Sequence, residues 1–297
     1  MQSTYPRIFD EFDRAVVTTE PGFVYDMLGG RVRASFKKGW VGEAAVRTTR
    51  PNLPAFNEWM VDWVACLLAA ELVSGDFAIV EAGAGYGHWM SVAMKARRAA
   101  GAAGSITGYA LEAEKHHYEW LLQNVIDNNL DSIGKTICKY GAAGADGDVY
   151  FPVIDDPTAN YGASIVHDAD QNLLKVPSYS LRSIHQELGT ARISLLHVDI
   201  QGGEEDFLVK GGDSCPLELC DVVLVGTHVS TDLHESVRGA LQTAGFDILI
   251  DWPRNSQVDY CGKKIDTNDG ALLAVNTSTV DSDMALTLAS RPLKNDS

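Results

Sequence analysis

At about 150 residues per domain, 297 residues amount to about two domains, but α/β folds often pass 250 residues as one, and the chain reads as one domain with an N-terminal extension. A hydrophobic share of 45% with 22% charged residues is ordinary globular composition and excludes fibrous and wholly disordered proteins. The 24 Lys and Arg against 40 Asp and Glu leave a net charge of −16, a field that repels phosphates and anionic lipid, so neither nucleic acid nor a membrane is expected as partner.

Cys66, Cys138, Cys215, Cys220 and Cys261 form no CxxC pair. Their odd number suits buried free thiols in a reducing compartment better than a disulfide framework. MQSTYPRIFDEFDRAVV mixes acids and bases where a signal peptide needs a basic start and an apolar run. No stretch reaches the roughly 18 apolar residues of a spanning helix. A cytoplasmic, soluble protein is expected, with homo-oligomerisation left open.

Residues 1–55 carry no clean period; they mix aromatics such as Phe9, Phe36 and Trp40 with basic residues and read as a cap. The body is expected over residues 56–276. It opens with an amphipathic helix in which Met60, Trp63, Val64, Leu67, Leu68 and Leu72 recur three and four apart, with Asn57 as N-cap. DFAIVEAG follows as a buried strand stopped by glycine, and SITGYALE is a second strand. Lys115 to Asn129 then places Tyr118, Leu121, Leu122, Val125 and Ile126 on one helical face, while His116 and His117 read as a solvated helix start.

KTICKY is a weaker third strand. GAAGADGDVYFPVIDDPTANYGAS is turn-rich with one extended piece, VYFPVI. SLRSIHQEL forms a helix ending at Gly189. ISLLHVDI, EEDFLVKGG, DVVLVGTH, HESVRGALQTAG, FDILI and ALLAVN continue as strand, helix, strand, helix, strand, strand. The alternation predicts a doubly wound, mostly parallel α/β sheet. The polar DWPRNSQVDYCGKKIDTNDG has no helical stripe, so the final strand is expected to run antiparallel to its neighbour. Residues 277–297 read as a polar tail with little to bury.

EAGAGYGHW stands between the first strand and a helix starting near Trp89, where open α/β sheets bind ligands. Gly83, Gly85 and Gly87 let the chain turn sharply beside a ligand. The dinucleotide fingerprint requires glycine where His88 stands and an acid about 20 residues on; neither matches, which disfavours a nicotinamide-dependent oxidoreductase. A phosphate-loop lysine is also missing. Instead Glu81 precedes the loop, suited to a cationic amino-acid group, and Glu112 ends the second strand, where it can accept from two ribose hydroxyls. That pair of acids fits S-adenosylmethionine.

EAGAGYGHW, YALEAEKHHYEWLLQNVIDNN, LLHVDIQGGEEDFL and VVLVGTHVS together resemble FkbM-type S-adenosylmethionine-dependent methyltransferases over roughly Phe77 to Leu249. That family tends to carry Lys, Asp, then Glu-Gly-x-Glu in the third block. This chain keeps Asp199, Gly202 and Glu204 but has His197 and Gln201 at the other two positions. Of the family's Glu-x-His in the fourth block, His228 stands and Gly226 replaces the glutamate. The resemblance implies a Rossmann-like seven-stranded methyltransferase sheet with an antiparallel last strand, and a hydroxyl as the usual acceptor.

Methyl transfer needs alignment, exclusion of water and removal of the acceptor proton. Asp199 and His228 lie at strand ends and Glu204 opens the next helix, so these three are the candidate catalytic groups, with His228 as general base because its ordinary pKa lies near working pH. Glu81, Gly83, Ala84, Gly85, Tyr86, Gly87, Trp89, Glu112 and Asp199 are the candidate cofactor contacts. Asn160, Tyr161 and Ser164 resemble the part that covers the cofactor. No metal is assigned, although His197, Asp199 and His228 would suit a divalent ion if they converged. The acceptor is expected to be a small molecule or sugar hydroxyl; N-methylation and non-catalytic binding of S-adenosylmethionine are the alternatives.

Overall fold

The computed structural model describes residues 5–166 and 173–290. In chain order the elements are α1 (Met60–Leu72), β1 (Phe77–Ala82), α2 (His88–Ala99), β2 (Ile106–Glu112), α3 (Lys115–Asp127), β3 (Lys135–Tyr140), β4 (Gly147–Pro152), β5 (Leu173–Tyr179) and α4 (Leu181–Leu188). They continue with β6 (Ile193–Val198), β7 (Cys220–Thr227), α5 (Thr231–Thr243), β8 (Phe246–Trp252), β9 (Ser256–Tyr260), β10 (Lys263–Thr267), β11 (Gly270–Asn276) and α6 (Ser282–Ala289). Among the described residues no helix is long and apolar enough to cross a membrane.

β1 and β6 are buried at every position, as strands covered on both faces must be. Their side chains alternate: Phe77, Ile79 and Leu195 point to a core shared with α1, α2 and α3, while Ala78, Val80, Leu196 and Val198 join α4 and α5 on the other side. The sheet runs β8-β11-β7-β6-β1-β2-β3. β3, β2, β1, β6 and β7 are mutually parallel. β11 is antiparallel to both β7 and β8. This is the expected doubly wound, Rossmann-like sheet with an antiparallel last strand. Its order reverses between β1 and β6, and the crevice beyond their carboxyl ends is where such sheets bind ligands.

Several local expectations give way to tertiary context. α1 begins at Met60, with Asn57 instead accepting the Trp59 N–H, and it is not amphipathic: Met60, Val61, Trp63 to Ala70 are all buried. A helix apolar all round needs cover on its outer side too. Ile8, Phe9 and Phe12 of the extension supply part of that cover, and α6 supplies the rest through Ala285 and Ala289. Residues 277–290 are therefore packed structure and no polar tail; residues 291–297 lie outside the described residues. In α3 the inward face is centred on His117, Leu121, Asn124 and Val125, leaving Leu122 and Ile126 exposed. The apolar side chains of that helix span more than one face, and the narrower half meets the sheet.

EEDFLV forms a single π-turn, Glu205–Val209, where a helix was expected. VYFP lies in β4, which pairs antiparallel with β5, a strand not foreseen. The polar segment before β11 is a hairpin of β9 and β10, turned by Cys261 (φ 52°) and Gly262 (φ 76°). Positive φ at both central residues is the turn geometry whose twist matches paired strands. Its inner face, Tyr260 and Ile265, closes onto the α1 core.

Arg97 of α2 ties the lower end of this assembly. Its guanidinium is buried and donates to the carbonyls of Ala70, Val73, Gly75 and Ala103, satisfying the end of α1 and the turn into β1. An Arg97→Met protein keeps the apolar stem but strands those acceptors, and should lose about 3 kcal/mol of stability. Urea unfolding would show a lowered midpoint at unchanged slope.

Candidate active site

The chain leaves β1 through Gly83 (φ 77°), Gly85 (φ 54°) and Gly87 (φ 74°). Two of these glycines are dictated by space as well as angle. A Cβ on Gly83 would stand 1.8 Å from the Asp199 carbonyl oxygen, and one on Gly87 would stand 2.3 Å from Leu121 Cδ1. The loop thus brings the ends of β1 and β6 into direct contact and seats the start of α2 on α3.

Glu81 is 1% exposed and accepts the N–H groups of Trp89 (3.2 Å) and Met90 (2.8 Å). Its carboxylate serves the first turn of α2, favourably placed at the positive end of the helix, and does not open on a cavity as the cationic-group expectation required. Burial pushes its pKa up to about 7, with these N–H bonds and the charge on His197 opposing.

Glu112, at the end of β2, accepts from Gly85 N–H and Glu114 N–H, each at 2.6 Å. Burial lifts its pKa to about 8; the two N–H bonds oppose that shift and the neighbouring Glu114 charge adds to it. It lines a cavity of about 570 Å³, open mouth included, together with Gly83, Gly85, His117, Asn160 and Tyr161. Ala142, Phe151 and Ile165 form the apolar side. Tyr161 covers the cavity: its ring stacks on His117 at 4.2 Å and 7°, and its hydroxyl donates to Phe36 O at 2.6 Å. His117 is therefore buried beside the cavity, its Nε2 2.8 Å from Pro157 O, whereas His116 is exposed as expected. Ser164 does not line the cavity. Tyr86 turns instead to Phe36 and Trp40 of the extension, and Ala84 is buried behind the loop.

A second cavity, of about 580 Å³ with its mouth, lies on the β7 side of the crevice. Trp59, Trp89 and Trp252 wall it, and Asp62, Asp199 and His228 face it. Asp199 stands between the two spaces, its main chain against Gly83 and its partly exposed carboxylate in the second cavity. His228 Nε2 lies 3.0 Å from Asp199 Oδ1, and its Nδ1 lies 2.6 Å from Oε1 of the fully buried Glu204. Burial alone would lower the His228 pKa, but the bonds to two carboxylates outweigh it and lift the value to about 10. At neutral pH both nitrogens donate, so this imidazolium has no lone pair with which to act as the expected base.

Two of the three departures from the family pattern, Gln201 and Gly226, have a local logic. Gln201 (φ 53°) donates its side-chain amide to Asp199 Oδ1 at 3.0 Å. Burial would raise the Asp199 pKa, yet His228, His197 and this amide together hold it below the ordinary value; a glutamate at 201 would repel it. At Gly226 a Cβ would stand 3.0 Å from His228 Cε1, so glycine leaves the imidazole room to reach Asp199.

His197 Nε2 pairs with Asp62 Oδ1 at 2.8 Å and its ring stacks on Trp89. His197, Asp199 and His228 therefore do not converge, and no group of three His, Cys, Asp or Glu side chains among the described residues is arranged to hold a metal ion. Trp89 faces the second cavity and not the first. Asp62 escaped notice in the sequence, although a lone acid inside the apolar run WMVDWV was its signal.

Since the folded-state pKa of His228 stands above its ordinary 6.5, the stability it contributes is complete below that pH and is lost as pH rises through about 10. Nitrogen NMR should show both His228 nitrogens protonated at pH 8. The gap in melting temperature between wild type and His228→Gln should narrow between pH 8 and 10.

Residues 81–248 match the family described as methyltransferase FkbM domain. A curated relative from Jannaschia sp. (strain CCS1), named "Putative methyltransferase", is 27% identical over 276 residues, covering 89% of this chain and 95% of that protein. Among solved structures, an O-methyltransferase from Bacillus cereus in complex with SAH shares 11% identity over 75% of this chain and 82% of its own, at a TM-score of 0.40. M. capricolum TrmK in complex with S-adenosyl-homocysteine shares 11% over 72% and 68%, also at 0.40. Similarity this coarse says nothing about the acceptor.

Proposed function

The chain belongs to the FkbM methyltransferase family and is a methyltransferase, and on that premise we propose that it transfers the methyl group of S-adenosylmethionine to a hydroxyl of a small molecule held in the tryptophan-walled cavity. The observation that carries this reading is the adjacency of two cavities at the end of β6, one lined by the glycine loop, Glu112 and Ile200, the other by the preceding residue Asp199 and by His228.

The first cavity has the features the cofactor requires. Glu112 keeps spare acceptor lone pairs for a vicinal diol after its two main-chain bonds. Ala142, Phe151 and Ile165 offer an apolar slot for a flat base, and Asn160 and Tyr161 cover part of it. The bound sulfonium supplies an activated methyl. On the other side, Asp199 accepts the proton that the acceptor hydroxyl releases as the new bond forms, and its exposed edge returns that proton to solvent. His228 is a positioning residue: held by Glu204, it fixes the Asp199 carboxylate and keeps it ionised. A carboxylate base is needed for a hydroxyl and not for a neutral amine, which favours O-transfer. The modest size of the second cavity and the charge of −16 favour a small acceptor over a nucleic acid.

Isothermal titration should show S-adenosylhomocysteine binding and no NAD binding. Because an ionised Glu112 is acceptor-only and receives a diol better than the protonated acid, affinity should rise with pH toward pH 8 and level off above it. Glu112→Gln should bind at least about tenfold more weakly and without that slope; unchanged affinity would remove the assignment. Asp199→Asn should keep S-adenosylhomocysteine affinity within a few-fold while turnover on a panel of hydroxyl compounds falls by about a hundred- to ten-thousand-fold.

A further inference from the structure

The second cavity carries a charge pattern that methyl transfer to a neutral alcohol does not require. Asp62 and Asp199 lie in its depth, and Glu58 and Asp269 stand toward its rim. Among the described residues that line it, the one basic side chain is His228, whose two nitrogens are already spent on Asp199 and Glu204. His197, behind the wall, is spent on Asp62. Glu58 is bound by Asn268, a neutral donor that leaves its charge in place. Of these four carboxylates, Asp62 is answered by His197, Asp199 by His228 and Glu58 by the charge of nearby Lys37, so the acids exceed the cations by one, the exposed Asp269.

The apolar part of the wall has the same preference. Trp89 and Trp252 line the cavity, and an indole face attracts cations. Trp59, at the mouth, already holds Lys37 Nζ 4.4 Å from its ring centroid. At Asp62 burial raises the pKa, the pairing with His197 opposes it, and the Asp199 charge adds a smaller rise by repulsion. A ligand cation would relieve that repulsion, whereas an anionic acceptor would add to it.

From this pairing of indole walls with carboxylates in excess of cations, we propose that the acceptor carries a cationic nitrogen, as a protonated amine or quaternary ammonium, besides the hydroxyl that receives the methyl group. The inference rests on the reading that Asp199 faces the acceptor. The hydroxyl lies toward Asp199 and the cation lies between Trp252, Asp62 and Asp269. The cation takes no part in the bond changes; it places the hydroxyl. A net charge of −16 steers such a molecule toward the protein from a distance.

The test uses the full chain saturated with S-adenosylhomocysteine, so that the cofactor's own subsite is filled. Choline and its neutral isostere 3,3-dimethylbutan-1-ol are titrated by calorimetry and by tryptophan fluorescence at low salt. Choline should bind at least about tenfold more tightly, and added salt should shrink the difference. Asp269→Asn, an exposed position that leaves the core untouched, and Trp252→Leu should each reduce the choline preference without altering S-adenosylhomocysteine affinity. Equal affinities, tighter binding of the isostere, or no choline binding to the loaded protein would overturn the proposal and leave the methyl-transfer reading standing. Failure of S-adenosylhomocysteine to bind is scored separately; it overturns the cofactor assignment, and this proposal with it.

Discussion

Where β1 ends, Gly83 lies so close to the carbonyl of Asp199 that a single added carbon would stand 1.8 Å from it. This contact fixes the distance between the glycine loop and the end of β6, the two sides of the point where the sheet order reverses. It sets Asp199, which faces the second cavity, beside Ile200, which lines the first, and the arrangement of the site follows. Glu112 holds the loop from the β2 side through Gly85, and Glu81 holds α2 from beneath through Trp89 and Met90. The loop is thus shaped by carboxylates accepting main-chain N–H groups, and the ligand-facing acid is the one of the two that keeps access to open space.

Buried carboxylates are costly unless hydrogen-bonded or paired. In this protein each is answered differently. Glu81 and Glu112 are answered by main-chain N–H groups and keep raised pKa values, so they respond to protons near neutrality. Asp199 is answered by an imidazolium and an amide and stays ionised. Glu204 is fully buried with one oxygen on His228 and the other without a partner, which makes the His228 charge the main compensation for it. The imidazolium therefore bonds two acids at once, one through each nitrogen, and this double duty, more than the identity of the residue, removes it from the role of base.

The strands and the glycine loop were legible in the sequence because their signals are local: an apolar run, a stop at glycine, an acid at the strand end. The doubly wound, mostly parallel sheet and the antiparallel β11 followed from helices separating the strands and from their absence before the last one. What stayed hidden depends on distant partners. Glu204 is a candidate from its place after β6, but nothing in the chain announces that it bonds His228 Nδ1 from just before a π-turn, 24 residues earlier. The apolar circumference of α1 makes sense only once α6 and residues 8–12 lie against it. His117 reads as a solvated histidine until Tyr161, from the turn-rich excursion, stacks on it. β5 and the β9–β10 hairpin are short and mixed in polarity, so their pattern emerges only from pairing.

The family resemblance ends at residue 248 and begins at residue 81, while the structure draws its seams elsewhere. Asp62 and Trp59 come from before that segment, Trp252 and Asp269 from after it, and the cover on Tyr161 is completed by the carbonyl of Phe36. β11, inserted between β7 and β8, also lies beyond it. A protein trimmed to the matched segment would bare the edge of β7 to foreign strands and strip the second cavity of most of its wall. Family match and architecture are partitioned differently along this chain: the matched segment supplies the core of the sheet, and the sequence on either side of it shapes what reaches that core.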